Sequence, residues 1–151
     1  MKLRIETRDD LQENELVLYC KELSEEILEL QRQLSSLTQT TGTIAVTKGE
    51  LDYFLRFSEI LFMETDGTNV AVHTDKQIYY TKQKLYELEN CMPHYFMRVS
   101  KSAIINTHEI RSIHKNLTGA SEIEFTNSVK TAYVSRSYYK SLMEKLHHSI
   151  L

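Results

Sequence analysis

From Thr43 to Val134 the chain is a succession of short segments rich in β-branched and aromatic residues, and this succession limits the fold more than any other feature. Such segments favour strands, and the glycines of Lys48-Gly49 and Asp66-Gly67 supply turns between them. The pattern predicts hairpin-connected strands. They are expected at 43–47, 51–57, 60–64, 69–74, 77–80, 96–99, 103–105, 110–115, 122–126 and 130–134.

Two short helices are predicted within and after these strands. Residues 82–90 have helical spacing at Leu85 and Leu88, and Pro93 prevents the helix from continuing. From Ser137 to about His148 the apolar side chains fall on one helical face. The predicted fold class is therefore mainly β with short helices.

The N-terminal part has a different pattern. Lys2-Leu3-Arg4-Ile5-Glu6 alternates apolar and charged residues, which predicts a short strand. A long amphipathic helix is predicted to follow, because apolar residues then recur at alternating spacings of four and three. These residues are Leu16, Cys20, Leu23, Ile27, Leu30, Leu34 and Leu37.

The small, polar stretch 38–43 is typical of a linker, so we divide the chain into an extension, 1–42, and a domain, 43–151. Two roles for the extension remain open at this point. Its helix either docks on its own domain or on the first strand, or it forms a homodimer through the heptad seam.

Charge is divided unevenly between the two parts. The net charge of the whole chain is −3, but residues 1–43 hold nine acidic side chains against five Lys and Arg, so the rest carries a net +1. Basic residues concentrate in 98–115 and 130–145. Such stretches favour contact with phosphate, although solvated surface charge explains them equally well.

Composition restricts where the protein is expected to act. No apolar run approaches the roughly 20 residues that span a bilayer, and the start of the chain lacks the apolar core of a signal peptide. Cys20 and Cys91 are far apart, which argues against a disulfide framework. We therefore expect a cytoplasmic protein.

The residues give little support for catalysis. The six histidines form no HExxH pattern, and the four glycines form no phosphate-binding loop. Ser100, Ser102 and His108 are close in sequence but lack a third group that would orient a base. We expect no enzyme activity, metal, cofactor or small-molecule substrate.

Three motifs carry a family resemblance. They are Ile60 to Gly67 (ILFMETDG), Phe96 to Asn106 (FMRVSKSAIIN) and Val134 to Tyr138 (VSRSY). Together and in this order they resemble the LytTR DNA-binding domain family over nearly all of residues 44–148. The resemblance implies an elongated, mainly β fold whose loops enter successive major grooves of double-stranded DNA, and hence a bacterial transcription regulator.

Three residues match base-contacting positions of that family. Asn69 lies where the family places a polar side chain that can pair with adenine, although it also suits a turn. Lys101 lies where the family reaches a base, and it can equally meet a phosphate. Arg136 begins the last helix, where its guanidinium can bind guanine.

Further candidates surround these three. Ser102 is expected to donate to a phosphate, and Lys140 to meet one. Arg98 is expected either to bind phosphate or to pair with a carboxylate on a neighbouring strand. Ser135 is expected to cap the last helix, and Asn106 to tie down its own turn. We expect the strand aromatics to be core residues: Tyr79, Tyr80, Tyr95, Phe96 and Tyr133.

The resemblance also bears on regulation. Many LytTR regulators resemble response regulators with a receiver domain, but residues 1–42 are too few for one, which needs on the order of 100 residues. Short family members with a similar extension are associated with small membrane proteins, which implies sequestration by such a partner. The alternative function is a dimeric protein-interaction adaptor that has lost DNA binding.

Overall fold

Strands dominate the computed structural model, which describes residues 2–12, 14–38 and 42–148. Within these ranges there are ten antiparallel strands and three short helices, with five strands between α1 and α2 and five between α2 and α3. The mainly β fold class predicted from the segment pattern is confirmed. The strands are β1 Thr43–Lys48, β2 Leu51–Arg56, β3 Phe62–Asp66, β4 Asn69–His73, β5 Ile78–Thr81, β6 Phe96–Ser100, β7 Ala103–Asn106, β8 Ile110–His114, β9 Ser121–Phe125 and β10 Thr131–Val134.

Seven of the strands form one sheet in the order β2-β1-β5-β4-β3-β7-β6. The β1–β2 and β3–β4 hairpins turn at Gly49 and Gly67, whose φ angles of +62° and +61° suit glycine because it has no Cβ. In the register of β3 with β7, Glu64 lies opposite Ala103. The end of β3, the start of β4, the end of β6 and the start of β7 therefore share one end of the sheet.

The other three strands form a second sheet in the order β10-β9-β8. Its buried side chains pack with helix α3, Arg136–His148, and with one face of the large sheet. Phe62 of β3 stacks on Phe125 of β9 with ring centroids 5.5 Å apart. Phe62 also stacks on His73, its cross-strand neighbour in β4, at 4.1 Å, so the Phe62–Phe125 contact joins this stacked pair to the second sheet.

A second cluster of buried side chains lies on the opposite face of the large sheet. Helix α2, Leu85–Cys91, covers this face through Leu85 and Leu88. The helix stops before Pro93, as predicted.

The N-terminal extension differs from its prediction. Residues 2–8 form no strand, because alternation favours an extended chain but a strand also needs a hydrogen-bonded neighbour, and none lies beside them in the described part of the chain. The helix α1 spans Glu25–Thr38, where Ser24 Oγ accepts a hydrogen bond from the Ile27 N–H at 3.3 Å. The predicted helical seam is therefore wrong for Leu16, Cys20 and Leu23.

The remaining apolar residues of the seam lie in α1. Ile27, Leu30 and Leu34 are half-buried, and the side chain of Leu37 lies outside what the structure describes. Burial lowers the pKa of Lys145 on α3, and Glu29 of α1 opposes this effect. The Lys145 ammonium also donates to the carbonyl oxygen of His94. Helix α1 therefore lies beside α3 and the chain that leads into β6.

Candidate nucleic-acid interface

The turn between β3 and β4 presents Asn69. Asp66 and Asn69 lie opposite each other and enclose Gly67 and Thr68, a two-residue connection of the kind that gives a tight hairpin. Asn69 is half-buried, and its amide makes no side-chain hydrogen bond with the described residues. A stiff turn therefore holds a donor and an acceptor ready for a ligand.

The turn between β6 and β7 presents Lys101 and Ser102, both exposed. The Ser102 N–H donates to Ser100 Oγ at 3.2 Å, and the two serine hydroxyls lie 3.3 Å apart. The Ser102 carbonyl accepts from the Thr65 N–H at 2.9 Å. This last bond fixes the turn to the end of β3, close to the turn that holds Asn69.

Arg98 supports the same turn from below. Its Nε donates to the Ser100 carbonyl at 2.8 Å, its Nη2 to the Lys101 carbonyl at 2.6 Å, and its Nη1 to Glu89 Oε2 at 2.7 Å. Of the two roles predicted for Arg98, the structure shows the pairing with a carboxylate. Glu89 belongs to helix α2, however, and not to a neighbouring strand.

The corner between β10 and α3 presents Arg136 and Lys140. The Ser135 N–H donates to the Val99 carbonyl at 2.9 Å, which fastens the start of α3 to the end of β6. Ser135 Oγ lies 3.2 Å from Ser137 Oγ and accepts no hydrogen bond from a described backbone N–H, so the expected cap is absent. Arg136 and Lys140 are exposed and lie on one helical face, since they are four residues apart.

These hydrogen bonds bring the candidate residues together at one end of the large sheet. Arg98 lies beneath that end, with 20% of its side chain exposed. Among the residues that the structure describes, Lys101, Arg136 and Lys140 have no ion-pair partner. The end of the sheet thus presents three cations together with the amide of Asn69 and the hydroxyl of Ser102.

A groove of about 440 Å³ runs between the two sheets beside this end. Ser100, Ser102 and Ser135 line it on one side. Deeper in, His73 Nε2 lies 2.9 Å from Glu64 Oε1. The groove therefore connects the exposed turns with a buried histidine, which the sequence did not single out.

Several charges act on His73. Burial lowers the pKa of His73, Lys130 lowers it further, and Glu64 opposes both. The Lys130 ammonium lies 3.5 Å from His73 Nδ1 and donates to the Gln77 carbonyl at 2.7 Å. His73 ends β4, in which Val70 to His73 are all buried, so burial does not alternate along this strand.

Two other predictions about side chains have clear outcomes. Asn106 does tie down its own turn, because its Oδ1 accepts from the His108 N–H at 3.0 Å. Tyr133 was expected in the core, but it is exposed, and its hydroxyl donates to Glu122 Oε2 at 3.2 Å. Alternation along β10 points Tyr133 away from the buried Ala132 and Val134, so this prediction was wrong.

No group of three His, Cys, Asp or Glu side chains that could hold a metal ion occurs in residues 2–12, 14–38 and 42–148. None of the helices in these ranges is both long and apolar enough to span a membrane.

Comparison with known proteins identifies the family and the fold. The family model described as "LytTr DNA-binding domain" matches residues 51–147. Uncharacterized HTH-type transcriptional regulators of Staphylococcus aureus strains NCTC 8325 and MRSA252 are 25% and 24% identical to this chain over 146 residues, which cover 97% of the chain and 98% of each relative. These alignments therefore include most of the extension.

A solved structure shares the fold. It is described as the LytTr DNA-binding domain of a methyl-accepting/DNA response regulator from Bacillus cereus. It superposes with a TM-score of 0.62 at 23% identity, over 70% of this chain and 95% of the other. In the described part of this chain five strands separate α2 from α3, so the "HTH" in the relatives' names has no counterpart in a pair of adjacent helices.

Proposed function

Since the chain belongs to the LytTR DNA-binding domain family, we propose that it is a bacterial transcription regulator that binds specific double-stranded DNA sequences through turns placed in successive major grooves. The observation that carries this proposal is the shared position of three segments: the β3–β4 turn, the β6–β7 turn and the β10–α3 corner. Two backbone hydrogen bonds, Thr65 to Ser102 and Ser135 to Val99, hold these segments at one end of the sheet.

Each side chain has a role that suits its chemistry. Arg136 is exposed and unpaired among the described residues, and a guanidinium can donate two hydrogen bonds to guanine O6 and N7. The Asn69 amide can likewise make two hydrogen bonds to adenine. Lys101 meets a base or a phosphate. Ser102 and Lys140 donate to phosphates, which position the protein without selecting a sequence.

Arg98 acts on DNA binding indirectly in this proposal. Each of its guanidinium nitrogens already donates to Ser100, Lys101 or Glu89. A cation held in this way gains little from a phosphate, because it would have to give up bonds that define the β6–β7 turn. We therefore treat Arg98 as the residue that positions Lys101 and Ser102.

The protein is proposed to act as a homodimer in the bacterial cytoplasm, since two tethered copies gain effective concentration on two half-sites. Sequestration by a small membrane protein remains an expectation from the family resemblance. The adaptor function is less favoured, because an adaptor has no need for three exposed cations, Lys101, Arg136 and Lys140, at one end of a sheet.

The proposal is tested by selecting DNA from a random duplex library with the full-length protein, and by pulling down chromatin and sequencing the bound DNA. An enriched sequence common to both experiments supports specific binding. Lys76→Ala is the matched control for removing a cation from the proposed DNA-binding end, because Lys76 is exposed in the β4–β5 turn at the opposite end of the sheet. Failure to enrich any sequence, with a protein that is folded by circular dichroism, would contradict specific DNA binding.

A further inference from the structure

Strand β2 is an open edge of the large sheet, because β1 pairs with one side of it and no described strand pairs with the other. Its side chains are unusually apolar for an exposed edge: Leu51 is 62% and Phe54 71% exposed. Edge strands of this kind readily accept another strand unless charge or a bulge prevents it.

Residues 15–21 form an exposed, apolar segment that could pair with such an edge. Residues 14–20 belong to no helix or strand and make no backbone hydrogen bond with other described residues. Yet Leu16 is 69%, Val17 55% and Tyr19 91% exposed. An apolar segment with unpaired backbone groups gains both burial and hydrogen bonds when it joins a sheet edge.

We propose that residues 15–21 of one copy add to strand β2 of a second copy as an antiparallel strand, and that this exchange forms the homodimer. One register pairs opposite charges at both ends, with Glu15 opposite Arg56 and Lys21 opposite Glu50. Among the described residues none of these four has an ion-pair partner within its own chain. Opposite charges across an antiparallel pair stabilise the pairing.

The same register matches the two faces of the sheet. Leu16 falls opposite Leu55, which is buried, and Leu18 falls opposite the half-buried Tyr53, so both leucines extend the core face. Val17 falls opposite Phe54 on the other face and covers part of its exposed ring. A slip of one residue would reverse these faces and separate the charges.

The pairing occurs between two copies in this proposal. Phe57, directly after β2, and Phe96 of β6 have ring centroids 6.3 Å apart, so the end of β2 lies near the start of β6. Residues 14–20 nevertheless pair with no strand of their own chain in the described structure. Pairing within one chain is the rival arrangement, and the intramolecular disulfide considered below would reveal it.

In a two-fold dimer each copy donates residues 15–21 and accepts the partner's segment, so the contact is made twice. This inference rests on the homodimer proposed above, but it replaces the heptad seam with a strand exchange as the interface. Its tests measure association and need no DNA, so failure of DNA binding and failure of this interface are distinguishable.

A disulfide tests the register directly, because Cys20 is exposed and falls opposite Leu51. Residues opposite each other in antiparallel strands have Cα atoms about 4.5–5.5 Å apart, within the range for a disulfide. We would mix one full-length chain carrying Cys91→Ser with another carrying Leu51→Cys, Cys20→Ser and Cys91→Ser. Under mild oxidation we expect a reducible product of twice the chain mass.

The control replaces Leu51→Cys by Asp52→Cys, since the side chain of residue 52 points to the opposite face. We expect at least about fivefold less product from it, because its thiol faces away from Cys20. Equal products from both variants, or none from Leu51→Cys, would overturn the proposal. So would a chain with both Cys20 and Leu51→Cys that closes only an intramolecular disulfide.

A charge reversal gives a second, independent measurement. Arg56→Glu places like charges opposite each other twice per dimer, so we expect the dimer dissociation constant, measured by sedimentation, to rise at least about tenfold. Adding Glu15→Arg to the same chain should restore most of the affinity. A monomeric wild-type protein at tens of micromolar, or a double variant no tighter than Arg56→Glu alone, would refute the exchange.

Discussion

The side chain of Asn106 donates through Nδ2 to the carbonyl oxygen of Ile60 at 2.9 Å, which joins the end of β7 to the segment before β3 across 46 residues of sequence. Asn106 is 1% exposed, and its Oδ1 accepts from the His108 N–H. One buried amide thus satisfies two backbone groups from distant parts of the chain.

Replacing this amide should destabilise the domain. Asn106→Ala leaves the Ile60 carbonyl and the His108 N–H without partners in a buried site, so we expect the free energy of unfolding to fall by roughly 2–4 kcal/mol. Urea unfolding followed by circular dichroism measures it. Asn90→Ala, at an exposed position of α2, serves as the control and should change stability by less than about 0.5 kcal/mol. Similar effects of the two substitutions would contradict the structural role of Asn106.

Arg136 and Lys140 should differ in how their loss affects DNA binding. If Arg136 contacts a base, Arg136→Ala costs roughly 1–3 kcal/mol on the selected DNA and relaxes preference at one position. Lys140→Ala should weaken binding to all sequences alike. It should also reduce the slope of the log binding constant against log salt concentration by about one, because one fewer counterion is released. Titrations of operator variants at two salt concentrations measure both effects. Unchanged specific binding by Arg136→Ala would show that the proposed surface is wrong.

Arg98 offers a test of positioning against direct contact. Because its guanidinium holds the β6–β7 turn, Arg98→Lys should weaken specific binding about as much as Arg98→Ala, since an ammonium cannot make the same fork of bonds. The salt slope should stay close to that of the wild type in both variants. If Arg98→Lys binds normally and Arg98→Ala lowers the slope by about one, Arg98 contacts phosphate instead.

The pH dependence of stability should report the buried His73. Burial and Lys130 hold its pKa below the ordinary 6.5, so as pH falls below about 6.5 the unfolded chain takes up a proton before the folded one does. The contribution of His73 to stability is therefore complete above this range and is lost as pH falls toward the folded pKa. Urea unfolding at pH 7.5 and 5.5 should show a smaller loss for His73→Gln than for the wild type.

Lys130→Met provides the matched comparison for that experiment. Without the ammonium the pKa of His73 should rise toward its ordinary value, and the loss of stability on acidification should shrink. NMR titration of the His73 ring follows the pKa itself. A ring that titrates at the same pH in both proteins would show that Lys130 does not act on His73.

Two full-length variants separate the strand from the helix as the dimer interface. Val17→Lys places a charge where the exchanged strand meets Phe54, so we expect a monomer by light scattering. Leu30→Glu alters α1, where Leu30 is half-buried, and should leave the dimer intact while lowering stability. A dimeric Val17→Lys together with a monomeric Leu30→Glu would instead support the heptad seam predicted from the sequence as the interface.

Local structure was predictable from the sequence, whereas partners were not. The segment predicted at 69–74 is the strand Asn69–His73, and the turns at Gly49 and Gly67 lie where the glycines stand. Alternation and turn residues fix such features because they depend on a few neighbouring side chains. The pairing of Arg98 with Glu89 and the sheet order β2-β1-β5 depend on contacts far apart in the chain, which no local pattern encodes.

The N-terminal extension also shows where a local sequence pattern failed to predict the structure. Spacings of four and three predicted one helix from Leu16, but Glu15 to Cys20 is rich in residues that favour extended chain, and the helix begins only at Glu25. The site residues were found within or next to the three motifs, and their grouping at one end came from the bonds Thr65–Ser102 and Ser135–Val99, which have no signature in sequence.

The stacked rings of His73, Phe62 and Phe125 have a consequence for the proposed DNA contacts. The stacking holds the sheet that carries Asn69 and Lys101 against the layer that carries Arg136, so the side chains proposed to contact DNA keep a fixed separation. A protein with a fixed separation between these side chains binds only DNA in which the two contacted positions have one rotational offset around the double helix. Inserting a single base pair between two contacted positions shifts them by about 3.4 Å and rotates them by about a tenth of a turn, so one of the two contacts would be lost.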